Sequence, residues 1–106
     1  MSVERIKTHL AEHFHLAEEQ IEIMLPTFIS TLENHMKNLE DALKENNPDH
    51  ISRAGHKIKG AFLNLGLKEC AQLAFDIEEK GKVGDNTTDF SRLIHELRAK
   101  VEPVLQ

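Results

Sequence analysis

The chain has 106 residues and a formal net charge of −5, with 40% hydrophobic and 29% charged residues, the balance of a globular domain that can bury a core without metal or disulfide support. The acidic balance argues against a nucleic-acid-binding surface, which would be basic, and against adhesion to anionic membranes. A single cysteine, Cys70, cannot make an internal disulfide; among Leu67, Ala71 and Leu73 it reads as a small buried hydrophobe suited to a reducing compartment.

The opening "MSVERIKTHLAEHFHL" has no apolar signal-peptide core. No apolar run reaches the length of a bilayer span, so the expected compartment is the cytoplasm. Glycine is absent before Gly55, and no alternating β-branched runs with hairpin turns appear, which predicts an all-α chain.

The first helix is expected over about Val3 to Phe14, with Ser2 as N-cap and Ile6, Leu10 and Phe14 as its apolar stripe. The second spans about Ala17 to Glu45. Its stripe is Ile21, Met24, Leu25, Phe28, Leu32, Met36, Leu39 and Leu43, and it keeps phase across Pro26. That reads as a kinked helix or two helices nearly end to end. Asn47 then caps a third helix, with Pro48 at its first position.

The third helix, about Pro48 to Leu65, turns Ile51, Ala54, Ile58, Ala61, Phe62 and Leu65 inward. Gly66 is its left-handed stop. A fourth helix, about Lys68 to Lys80, buries Cys70, Leu73, Ala74 and Ile77 and is expected to end at Gly81. "KGKVGDNTTD" reads as the one real loop. The last helix starts near Thr88 and carries Phe90, Leu93, Ile94, Leu97 and Val101 inward, with Pro103 fraying its end. The fold class is an antiparallel four-helix bundle with a short extra N-terminal helix, in one domain over 1–106.

The stretch "GHKIKG" holds the candidate site. On a helical wheel His56 lies opposite the core residues of the third helix and should point to solvent. Ser52, Arg53, Lys59, Gly60, Leu63 and Asn64 share its face. Gly55 and Gly60 are read as clearing space around the imidazole. Lys59 can stabilise an anion held near the ring. Ser52, Arg53, Leu63 and Asn64 are candidate docking positions for a partner. A neutral imidazole is abundant at neutral pH and can form covalent intermediates. The chain has neither G-x-G-x-x-G nor G-x-x-x-x-G-K-[ST], so no ATP site is expected. A phosphoryl group handled here would come from another protein and be passed on.

The stretch from Ala54 to Lys82 resembles a histidine-containing phosphotransfer (HPt) domain. The pattern H-x-[hydrophobic]-K-G-[small], a glycine ten residues after the histidine, and a helix ending in hydrophobic-Glu fall on His56, Ile58, Lys59, Gly60, Ala61, Gly66, Ile77 and Glu78. The flanking helices match in order and length. Small departures are Gly55 where alanine or valine is usual, Leu67 where a small residue is common, and Ala61 and Phe62 where serine or alanine often stands. The resemblance implies a four-helix bundle with a phosphorylatable His56, Lys59 steadying the phosphoryl group and Gly60 leaving room for it. It implies transfer to and from aspartates of response-regulator receiver domains in a multistep phosphorelay, with a hybrid histidine kinase as a further partner. It implies no cofactor or metal of the chain's own, the Mg²⁺ belonging to the receiver. A phosphocarrier rather than an enzyme, and a monomer, are expected.

Two other readings come from different classes. One is a helical adaptor that binds receiver domains without transferring phosphate; the intact set of His56, Lys59 and Gly60 speaks against it. The other is a histidine-rich metal-binding bundle. His9 and His13 are four apart on the first helix, with His15 and Glu12 nearby, a spacing that can bind zinc or copper. His35, His50 and His95 read as isolated surface residues.

Overall fold

The computed structural model describes residues 3–84 and 87–105. Its described helices are α1 (Val3–Phe14), α2 (Glu18–Lys44), α3 (Pro48–Asn64), α4 (Lys68–Val83) and α5 (Phe90–Leu105), and no strand occurs among the described residues. Short turns return the chain between α2 and α3 and between α3 and α4, so neighbouring helices run antiparallel in an all-helical bundle. The extra helix α1 lies against α2. One hydrophobic cluster joins all five, from Ile6 on α1 through Leu32 and Met36 on α2, Ile58 and Phe62 on α3 and Ile77 on α4 to Leu97 and Val101 on α5.

Local chemistry explains most of the boundaries. Gln20 accepts a hydrogen bond from the Ala17 N–H at 2.9 Å and opens α2. Asn47 accepts from the N–H groups of Asp49 and His50 at 3.2 and 3.3 Å, with Pro48 at the first helical position. At the end of α3, Gly66 takes a φ of 75°, which glycine adopts without cost. The Leu67 N–H reaches the Phe62 carbonyl at 2.9 Å and the Gly66 N–H reaches Leu63 at 3.2 Å, the paired bonds of a Schellman stop.

Pro26 sits exposed within α2, which runs through it as one helix, in line with the first of the two arrangements expected there. Other expectations need correction. Gly81 does not end α4; that helix runs on to Val83 and stops at Gly84, whose φ is 70°. Gly81 is instead a buried helical residue facing α3. The last helix begins at Phe90, where Asp89 accepts from the Arg92 N–H at 3.0 Å, and it passes through Pro103 to bury Val104. Phe14 is not core, being 50% exposed. The expected Ser2 cap lies outside the described residues.

Burial pushes the Cys70 thiol up to about 11, so the cysteine behaves as a packing residue. Opposite that packing, Arg98 on α5 staples α2 to α5: its guanidinium reaches Glu33 at 2.9 Å and Glu40 at 2.6 Å. The hydrogen bond from Arg98 and its charge hold the Glu40 carboxyl below its usual range, against the opposing effect of burial. This half-buried cluster fixes the back of the bundle, away from α3 and α4.

Candidate functional site

α3 and α4 cross closely because both carry glycine at the contact. A Cβ added to Gly55 would lie 3.3 Å from the Ala74 carbonyl oxygen and 3.4 Å from the Glu78 Cα. A Cβ on Gly81 would lie 2.8 Å from the Pro48 carbonyl oxygen and 2.9 Å from the Ser52 Cβ. Gly55 therefore does not clear space around an imidazole, as its neighbour in sequence suggested. It lets the backbone of α4 lie against α3. Gly60, by contrast, stands beside open space: a Cβ there would meet nothing within 4 Å.

The close crossing delivers Glu78 to the outer face of α3. Its side chain is 5% exposed, yet its carboxylate reaches His56 Nδ1 at 2.9 Å with one oxygen and Lys59 Nζ at 2.8 Å with the other. Lys82, one turn along α4, stands 3.6 Å from the same carboxylate. Burial alone would raise the Glu78 pKa, but the hydrogen bonds and charges of Lys59 and His56 hold it below the ordinary value. The group is thus ionised at neutral pH, and an ionised carboxylate only accepts hydrogen bonds. The proton between Glu78 and His56 must sit on Nδ1. The lone pair of the neutral ring then lies on Nε2, and the His56 side chain is 66% exposed.

The predicted residues sort themselves around this triad. His56, Lys59 and Gly60 come together as expected, but Lys59 is not a free cation waiting for an anion. Its side chain is 21% exposed, bound to Glu78 and lying 5.2 Å from the centre of the Phe75 ring. Arg53, Leu63 and Asn64 are exposed; Arg53 pairs with Asp49 at 3.3 Å. Ser52 was expected on the docking face and is instead buried, its hydroxyl donating to the Glu78 backbone carbonyl at 2.9 Å. The wheel misplaces it because its offset of about 40° from His56 falls on the side that α4 covers.

Two grooves flank His56. One, of about 680 Å³, has His35, His50, Arg53, Lys57 and Lys82 around the ring. The other, of about 890 Å³, runs between α1, α2 and α3 from Phe14 and Met24 past Phe28 to Ala61 and Gly60. His35 and His50 are not the isolated surface residues expected. His35 is half-buried, its pKa lowered by burial and by the Lys57 charge, and His50 Nδ1 contacts Glu45 at 2.6 Å. The His9 and His13 rings stack with centroids 4.2 Å apart. Among the described residues no group of three or more histidine, cysteine, aspartate or glutamate side chains is placed to hold a metal ion. No described helix is long and apolar enough to cross a membrane.

Glu78 is the residue whose role was missed. The sequence placed it within a motif but left it without a function, because nothing in its spacing shows that α4 approaches α3 closely enough for contact. The signal available was Gly81, three residues on, read as a stop rather than as a packing residue.

Searches of curated proteins and of solved structures return no match to the chain. The profile of one family, described as the Hpt domain, matches residues 23–104 and so covers α3 and α4 and most of α2 and α5. That match spans most of an all-helical chain that carries His56 on an exposed helix face, and the chain belongs to the Hpt domain family.

Proposed function

We propose that the protein is a phosphocarrier that takes a phosphoryl group onto Nε2 of His56 from a receiver-domain aspartyl phosphate and passes it to the aspartate of another receiver. The observation that carries this reading is the fixed Glu78 contact on Nδ1, which leaves Nε2 as the nucleophilic atom on the open side of the ring.

The chemistry balances without a group from elsewhere in the chain. The Nε2 lone pair attacks phosphorus, the bond from phosphorus to the aspartate oxygen breaks, and the aspartate leaves as a carboxylate. The ring becomes cationic as the N–P bond forms, and Glu78 stabilises that charge through the Nδ1 proton. The return step reverses each movement: a receiver carboxylate attacks, and neutral imidazole leaves with its Nδ1 proton retained. Positioning and electrostatics supply the catalysis, as phosphoryl transfer requires. Mg²⁺ is supplied by the receiver, and the carrier needs no ATP site of its own. It works as a monomer in the cytoplasm, and a hybrid histidine kinase can be the source of the phosphoryl group. Docking is expected on the face carrying Arg53, Leu63 and Asn64 and along the apolar groove that ends at Gly60. Gly60 leaves the space into which the receiver's active site comes.

Lys59 is close enough to the ring's partner to turn from Glu78 toward an arriving phosphoryl group, while Lys82 remains beside the carboxylate. Lys59→Ala should slow transfer about tenfold, equivalent to about 1.4 kcal/mol of transition-state stabilisation, without abolishing it. Rapid-quench measurement of the transfer rate checks this; a rate equal to the parent's contradicts the charge assignment.

The reading as a whole is tested by mixing the protein with a phosphorylated receiver domain and following intact mass. One added phosphoryl group, lost in mild acid, is the expected result. No transfer from a panel of phosphorylated receivers would return the weight to a non-catalytic adaptor.

A further inference from the structure

Ser52 sits one turn before His56 on α3 and is 5% exposed. A serine inside a helix usually turns its hydroxyl to the carbonyl four residues back or to solvent. Here it does neither. It crosses to α4 and donates to the backbone carbonyl of Glu78 at 2.9 Å.

The surroundings show how tightly this bond holds Glu78. On one side, a Cβ built on Gly55 would come within 3.3 Å of the Glu78 backbone nitrogen and 3.4 Å of its Cα. On the next turn, Gly81 lies directly over Ser52, with room for no side chain between them. The backbone of Glu78 is therefore held against α3 by contact at Gly55 and by a directional bond at Ser52. From that backbone, the carboxylate must reach two donors at once, His56 Nδ1 at 2.9 Å and Lys59 Nζ at 2.8 Å. Whether one carboxylate meets both donors depends on where its backbone stands, so its anchorage decides whether both contacts survive.

We propose that Ser52 is a positioning residue: by fixing the Glu78 backbone it sets which nitrogen of His56 carries the proton, and thereby keeps Nε2 nucleophilic. The inference rests on the phosphocarrier reading for its consequence in transfer, but the tautomer of His56 can be measured without any transfer. Ser52 touches no reacting atom; it acts through Glu78.

The test compares Ser52→Ala, Ser52→Thr and Val101→Ala. Val101 is buried on α5, a helix that supplies no group to the site, so its truncation loosens the bundle away from His56. Two-bond ¹H–¹⁵N correlation spectra of the labelled proteins, taken with the imidazole neutral, report the ratio of the Nδ1–H to the Nε2–H form. Ser52→Ala should lower that ratio about fivefold, the equilibrium worth of one ordinary hydrogen bond. Ser52→Thr, which keeps the donor, should restore most of it, and Val101→Ala should leave it at the parent value. If Ser52→Ala does not fold, Ser52→Cys, which keeps the size with a much weaker donor, is read the same way. An unchanged ratio in the donor-poor variant, or an equal fall in Val101→Ala, would overturn the proposal. The phosphoryl transfer rate, measured in parallel, should fall with the ratio. If even the parent accepts no phosphoryl group, the phosphocarrier reading fails while the tautomer ratios still judge Ser52.

Discussion

His56→Gln should fold like the parent and accept no phosphoryl group at all. The side chain it replaces is 66% exposed, so little packing is lost. The new amide can still donate to Glu78, which keeps the buried carboxylate paired. With that pairing kept, the change in stability should stay near the about 0.5 kcal/mol usual for surface substitutions. A carboxamide has no nucleophilic lone pair to match an imidazole nitrogen, so the reaction loses its acceptor atom rather than a supporting contact. Intact mass after incubation with a phosphorylated receiver, alongside a denaturant titration, checks both halves. A variant that folds and still gains an acid-labile phosphoryl group would place the acceptor elsewhere.

Gly81→Ala should cost more stability than a methyl added at Gly55 or Gly60. Its new Cβ would lie 2.8 Å from the Pro48 carbonyl oxygen and 3.0 Å from the Ser52 backbone nitrogen. Those neighbours are backbone at the start of α3 and cannot rotate away. The helices must separate, at a cost of about 1–3 kcal/mol for overpacking. The same separation strains the Ser52 bond to Glu78, so transfer should slow as well, even in the folded fraction. Thermal unfolding and a transfer assay on one preparation give both readings. A Gly81→Ala variant as stable as the parent would mean that the α3–α4 crossing is looser than the structure describes.

Much of the fold could be read from the chain because its signals are local. Asn47 and Pro48 announce the start of α3, Gly66 its stop, and the apolar periods of α3 and α5 mark the faces that are buried. The exposure of His56 and the open space at Gly60 follow from the same helical geometry. What escaped depends on how two helices meet. Gly81 read as a stop in sequence, and only its packing against Pro48 and Ser52 shows it to be a contact residue. Ser52 looked exposed because a wheel knows the core's direction but not the edge at which a neighbour begins. Glu78 stood in the motif without a role, and its burial opposite His56 and Lys59 is a fact of tertiary structure. Val104 was missed because Pro103 suggested fraying, whereas a proline near a helix end is tolerated where the core holds the last turn.

The arrangement of Glu78, His56 and Lys59 makes a specific claim about which atom reacts. It is tested most directly by phosphorylating the ¹⁵N-labelled protein from a receiver and locating the N–P bond by ¹⁵N and ³¹P NMR. The account predicts a single phosphoryl group on Nε2 of His56, with Nδ1 still protonated toward Glu78. A phosphoryl group on Nδ1, or on any other residue, would contradict it.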